Sequence, residues 1–175
     1  MNGRALHDAL LRVLVDAPLR RAVLDGKAPR ESGVGAAEAD VLRRADRDRL
    51  ERISRFMGRH FYRERIVRLF SGTRALASRT GLDPLSILED PSFRDLLAGV
   101  RLGTPESADA VARLVEEALS RGDGGRLDLP YWRDLVRYEG TLFRAEAAPR
   151  TWSAPRPPSP RPRRSPWLRI ADFEW

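Results

Sequence analysis

The 175-residue sequence contains no cysteine, a single lysine at Lys27, and only two histidines, His7 and His60. Without cysteine there can be no disulfide, no thiolate metal site and no thiol nucleophile. The absence agrees with a reducing compartment, so a cytoplasmic location is expected. Long apolar runs are missing too. No stretch approaches a membrane span, and charged residues interrupt every apolar run of the opening "MNGRALHDALLRVLVDAPLRR" before it reaches the length of a secretory-signal core.

Several catalytic signatures are also lacking. No G-x-x-x-x-G-K-[ST] is present, which excludes a P-loop. "GVGAAE" contains G-x-G, but no strand precedes it and no third glycine follows at the required spacing, so it reads as loop. There is no G-x-S-x-G elbow. His60 and Glu64 stand four apart on a helix and could face one metal ion, yet a catalytic zinc usually takes three protein ligands and only His7 remains as a further histidine. A hydrogen-bonded or solvated pair is the expectation there. No metal, no cofactor and no catalytic set is assigned to the chain.

What is present is arginine and helical periodicity. The net charge of +7 is unevenly spread. Residues 1–149 hold 26 basic against 23 acidic side chains, while the last 26 residues hold six arginines against Asp172 and Glu174. The basic excess therefore sits mainly in the tail, and an arginine tail interleaved with Trp152 and Trp167 could track phosphates and stack bases. Nucleic-acid binding or a regulatory role through this tail is the alternative functional reading, weakened by the tail's acidic end and by the mixed signs of the helical part.

Apolar residues at Leu6, Leu10, Val13 and Leu14 give a first helix. "DAPLRRAVLDG" gives a second, with Asp16 as cap, Pro18 in its first turn and Gly26 as its stop. A polar loop, "KAPRESGVGAA", leads to a helical stretch from about Glu38 that restarts at the capping residue Asp46. In that stretch Leu50, Ile53, Met57 and Phe61 form one face and Tyr62, Ile66, Leu69 and Phe70 another, so the helix is expected to touch different neighbours along its length. After Gly72, short helices are separated by "TGLDP", "EDPS" and "RLGTP"; the clearest begins at Thr104 and Pro105 and ends at Gly122. Asp128 and Pro130 open the last helix. The reading is a mostly α protein, with residues 1–147 as a helical bundle.

That last helix contains "YWRDLVRYEGTLF", in which Trp132, Leu135, Val136 and Phe143 share a face with Glu139 in its middle. A carboxylate buried there must meet an arginine, meet a cluster of backbone donors, or keep a proton. Arg63, Arg65 and Arg68 of "FYRERIVRLF" are available, and a structural ion pair of Glu139 with Arg65 or Arg68 is the expectation. Composition then changes. Residues 148–166 are rich in proline and arginine and read as an extended linker of polyproline character. Residues 167–175, "WLRIADFEW", alternate as a strand with Trp167, Ala171, Phe173 and Trp175 on one side. A lone strand needs another edge beside it, supplied by this chain, a second copy, or a partner or peptide adding on by strand augmentation.

Taken in order, "DAPLRRAVL", "ADRDRLERISRFMGRHFYRERIVRLF", "LPYWRDLVRYEGTLFRAE" and "LRIADFEW" resemble the partner proteins of multinuclear non-heme iron dependent oxidative enzymes, which modify ribosomally made precursor peptides, as in methanobactin biosynthesis. The resemblance implies a non-catalytic subunit that forms a heterodimer with a barrel-shaped iron enzyme and presents the leader of the precursor peptide. The iron would belong to the enzyme. Trp167, Arg169, Ile170, Asp172, Phe173 and Trp175 would be the peptide- or partner-binding residues, and Glu139 would match the family's helix glutamate. Such proteins tend to carry more strand sequence near the C-terminus than this chain does, so its strand would need the enzyme beside it to become ordered.

Overall fold

A computed structural model describes residues 3–123 and 129–147. They are mostly helical, as expected. The linker and the terminal strand, residues 148–175, lie outside the described residues. The helices are α1 (Gly3–Val15), α2 (Ala17–Leu24), α3 (Ala36–Arg43), α4 (Arg47–Leu69), α5 (Ser71–Thr80), α6 (Pro91–Gly99), α7 (Pro105–Asp123) and α8 (Trp132–Ala147), with 3-10 turns at Arg30–Ser32 and Pro84–Glu89. Among the described residues the only extended pairing is an isolated bridge between Asp16 and Arg101.

Local chemistry sets most of these boundaries. The Asp16 carboxylate accepts from the Leu19 N–H at 2.8 Å, satisfying a free donor in the first turn of α2, and Pro18 sits where its missing N–H does no harm. Asp46 caps α4 in the same way through the Arg49 N–H at 3.0 Å. At α7, Thr104 and Ser107 cap each other: the Ser107 N–H reaches the Thr104 hydroxyl at 3.3 Å and the Thr104 N–H reaches the Ser107 hydroxyl at 3.1 Å. This is a capping box with serine at the third position. α5 ends at Gly81, whose φ of +70° closes the last turn at little steric cost.

The described residues divide into two compact units, one within Met1–Arg65 and Ser86–Leu102 and the other within Ile66–Leu85 and Gly103–Trp175. In the first, α1, α2 and α3 enclose Ala9, Val13, Val23, Val34 and Leu42. The chain returning after α6 pairs with the α1–α2 junction through Ala17 N–H to Val100 O at 3.2 Å and Leu102 N–H to Val15 O at 2.8 Å. Tyr62 meets Phe93 edge to face at 6.1 Å between centroids. In the second unit α8 packs on both α7 and α5, burying Val111, Val115, Leu119, Trp132, Val136 and Phe143.

The inward stripe of α4 agrees with the expected one at Leu50, Tyr62 and Ile66 and differs between them. Leu50, Ser54, Gly58, Tyr62 and Ile66 are buried, an i to i+4 series that Phe70 continues just past the helix, whereas Ile53 and Phe61 are exposed. Small and polar residues win these positions because of what approaches them. Ser54 is needed for hydrogen bonding described below, and at Gly58 an added Cβ would lie 3.0 Å from one Leu97 methyl and 3.3 Å from a Leu102 methyl. Glycine lowers helix propensity by about 1 kcal/mol, but it lets α4 lie close to these leucines. A Gly58→Val substitution is therefore expected to destabilise the protein by about 1–3 kcal/mol through overpacking. Chemical denaturation would check it, and unchanged stability would mean that the leucines can retreat freely.

Candidate functional site

The most polar residues inside the molecule are the first place to look for chemistry. Glu139, near the middle of α8, is 4% exposed. Its Oε1 accepts from the Gly72 N–H at 2.7 Å, and its Oε2 accepts from the Thr73 N–H at 3.1 Å and from the Thr73 hydroxyl. Gly72 and Thr73 occupy the first turn of α5, whose own N-cap residue is Phe70, a side chain with no acceptor. α5 is thus capped from another helix. The negative carboxylate faces the positive end of the helix dipole and fills two of the orphan donors there. Gly72 contributes by size: a Cβ would stand 3.1 Å from the Glu139 carboxylate and 3.1 Å from a Leu135 methyl.

The expected ion pair of Glu139 is therefore replaced by donors of α5. The Arg68 guanidinium instead pairs with Glu146, and the Arg65 guanidinium lies over the Phe61 ring, 5.4 Å from its centroid. Two arginine sites that the sequence did not single out matter more. Arg20 is 4% exposed and its Nη1 donates to Val13 O at 3.2 Å and to the Ser54 hydroxyl at 2.7 Å, while that hydroxyl donates to Leu14 O at 2.7 Å. A cation and a serine so fill the free carbonyls at the end of α1. Burial pushes the Arg20 pKa down, and Glu51 acts against that shift. Arginine nevertheless remains protonated in proteins.

Arg144 on α8 forms a bidentate pair with Glu116 on α7, at 2.6 and 2.7 Å, and its Nε donates to Asp109 at 2.7 Å. Glu116 raises the Arg144 pKa well above the ordinary arginine value, so the group stays charged. Asp109 is shifted the other way: the Arg144 hydrogen bond holds its carboxyl below the usual 3.8. Gly140 leaves room for this pair, because a Cβ there would strike the Glu116 carboxylate. Each of these charged groups is engaged in joining helices.

The outward chemistry is different in kind. His60 and Glu64 approach to 3.3 Å with both side chains mostly exposed, and among the described residues no group of three or more His, Asp or Glu could hold a metal. A cavity of about 180 Å³ lies between α4 and the segment running into α6. Leu88, Phe93 and Leu97 form its apolar floor. Phe56 stands at its edge 72% exposed, stacked on His60 at 6.4 Å, and Arg55, Arg59, Arg94 and Glu89 complete the rim. A larger groove of about 580 Å³ beside α2 mixes Arg12 and Arg101 with Asp16 and Glu31 over Val15, Leu19 and Ala22. Phe56 belongs to neither apolar stripe of α4, and the sequence carries that much of a signal: an aromatic on a long helix that belongs to no inward face. Of the sequence-predicted binding residues, Trp167, Arg169, Ile170, Asp172, Phe173 and Trp175 lie outside the described residues. No helix among the described residues is long and apolar enough to cross a membrane.

Replacing Glu139 by glutamine turns one acceptor into a donor facing N–H or O–H groups and removes the charge at the helix end. The expected cost is about 2 kcal/mol, which should appear as a fall of about 5 °C in Tm. An unchanged melt would show that α5 needs no external cap. For Asp109, the depressed carboxyl pKa means that its contribution is present above the usual 3.8 and disappears as pH falls through the lower folded value. Between about pH 6 and about pH 2 the wild type should lose more stability than Asp109→Asn. Equal losses in thermal melts would show that the Arg144 contact contributes nothing.

Comparison with known protein families, with curated proteins and with solved structures finds no match to this chain.

Proposed function

We propose that this chain is a non-catalytic partner subunit that binds a multinuclear non-heme iron dependent oxidative enzyme and presents the leader of a ribosomally made precursor peptide. One structural observation supports a binding role above others: the buried charges Arg20 and Glu139 are engaged by helix ends, while the outer side of α4 exposes Ile53, Phe56 and Phe61. Interior ionic chemistry serves the fold, and the apolar surface left outside suits contact with another macromolecule. The order of segments from "DAPLRRAVL" to "LRIADFEW" supports the particular partner. In this reading the iron belongs to the enzyme. Trp167, Arg169, Ile170, Asp172, Phe173 and Trp175 form the edge along which enzyme or leader adds as a strand, with backbone hydrogen bonds giving affinity and alternate side chains giving selectivity.

The adjacent reading frames are the first test, because a barrel-type iron enzyme and a short precursor encoded there would identify both partners. With those proteins in hand, the full chain should co-purify with enzyme and leader, and the chain lacking residues 150–175 should lose the complex. Retention after truncation would move the interface to the helices. Raising salt from about 0.1 to about 0.5 M should leave a strand-paired complex largely intact, whereas binding through many phosphates would weaken steeply. A steep loss, with single-stranded nucleic acid bound in place of the leader, would sink the reading.

A further inference from the structure

We propose that the small cavity between α4 and α6 is a docking site for an acidic peptide segment of a partner protein, anchored by one large apolar side chain. The proposal uses none of the tail residues and does not depend on the identity of the enzyme. Leu88, Phe93 and Leu97 give the cavity a buried apolar floor, and its volume of about 180 Å³ suits a single large side chain. Phe56 stands beside it with 72% of its surface exposed, an arrangement that leaves an aromatic wall uncovered. An inserted aromatic or leucine side chain would desolvate both wall and floor, which is how anchor residues contribute most of the affinity of small interfaces.

The surrounding charge selects the rest of the segment. Three arginines and one glutamate ring the cavity, and they are not equally committed. Arg59 is paired with Glu89. Arg55 donates its Nε to the Glu51 carbonyl at 3.4 Å and reaches the Glu51 carboxylate only at 4.0 Å, and no ion pair of Arg94 is found among the described residues. Carboxylates on either side of the anchor would therefore meet Arg55 and Arg94 while the Arg59–Glu89 pair stays in place. Nucleic acid fits less well, because phosphate affinity comes from many cations acting together, and here two are available beside a glutamate. Rim charges of this kind steer association and set selectivity, with the apolar anchor supplying the holding energy.

The test uses the full chain and a fluorescein-labelled octapeptide with one tryptophan among glutamates, read by fluorescence anisotropy. Binding should weaken about tenfold for Phe56→Ala and by a similar factor for Arg94→Glu. The Arg94→Glu variant should regain affinity for a peptide in which lysines replace the glutamates. Copies of the probe with glutamine for glutamate, or alanine for tryptophan, should bind the wild type about tenfold more weakly. Arg12→Glu, which lies outside the cavity, should leave binding unchanged; an equal loss there would mean diffuse attraction to the arginine-rich surface and would overturn the proposal. So would failure of the acidic probe to bind, indifference to both cavity variants, or preference for a single-stranded RNA oligomer with the same Arg94 dependence. All substituted side chains are on the surface, and far-UV circular dichroism establishes that each variant is folded.

Discussion

Buried ions placed at helix ends join the helices within each of the two units. Glu139 carries a negative charge to the first turn of α5, and Arg20 carries a positive charge to the last turn of α1. In both places the helix offers unfilled hydrogen-bonding groups and a partial charge of the opposite sign. The penalty for removing an ion from water is offset because its partners already point into one spot. These contacts also fix position more sharply than apolar packing does. Glu139 joins α8 to α5 at one register, and Arg20 together with Ser54 joins α1, α2 and α4.

Those two contacts explain why residues with poor core credentials lie inside. Ser54 is buried because α1 needs a donor for its last carbonyls, and Gly72 stays small because the carboxylate passes close by. The Arg144 network follows the same logic at the surface of contact between α7 and α8, with Gly140 yielding space to Glu116. Once these positions are taken by glycine, serine and arginine, some large apolar residues of α4 have no inward place. Phe56 is the clearest case, and it borders a cavity whose floor is apolar and whose rim is cationic.

Helix ends were legible from the sequence wherever the cap is local. Asp16, Asp46 and Thr104 each sit next to the turn they stabilise, so a short window contains the whole interaction. The mostly helical character followed from the same periodicity and punctuation. Tyr62, Ile66 and Phe70 lie inward as their spacing suggests, but the first half of α4 differs, because a pattern weighted toward Leu50, Ile53, Met57 and Phe61 gives no credit to Ser54 and Gly58, whose burial depends on neighbours distant in sequence. Glu139 stood out as an anomaly on an apolar stripe, and donation by backbone groups was among the allowed outcomes. Its partner was not legible: the accepting carboxylate and its donors are 66 and 67 positions apart, and nothing in "FSGT" advertises an absent cap except the missing acceptor at Phe70. Arg20 gave no signal at all, since one arginine among so many looks like solvated surface.

A helix that borrows its cap receives it late. On a growing chain α5 emerges long before α8, and during that interval its first turn has open donors and a phenylalanine where an acceptor normally sits. Only when residues 132–147 have been synthesised and folded against it does the carboxylate arrive. Chain order therefore puts the capping carboxylate in the last described helix, 66 residues after the Thr73 N–H it meets.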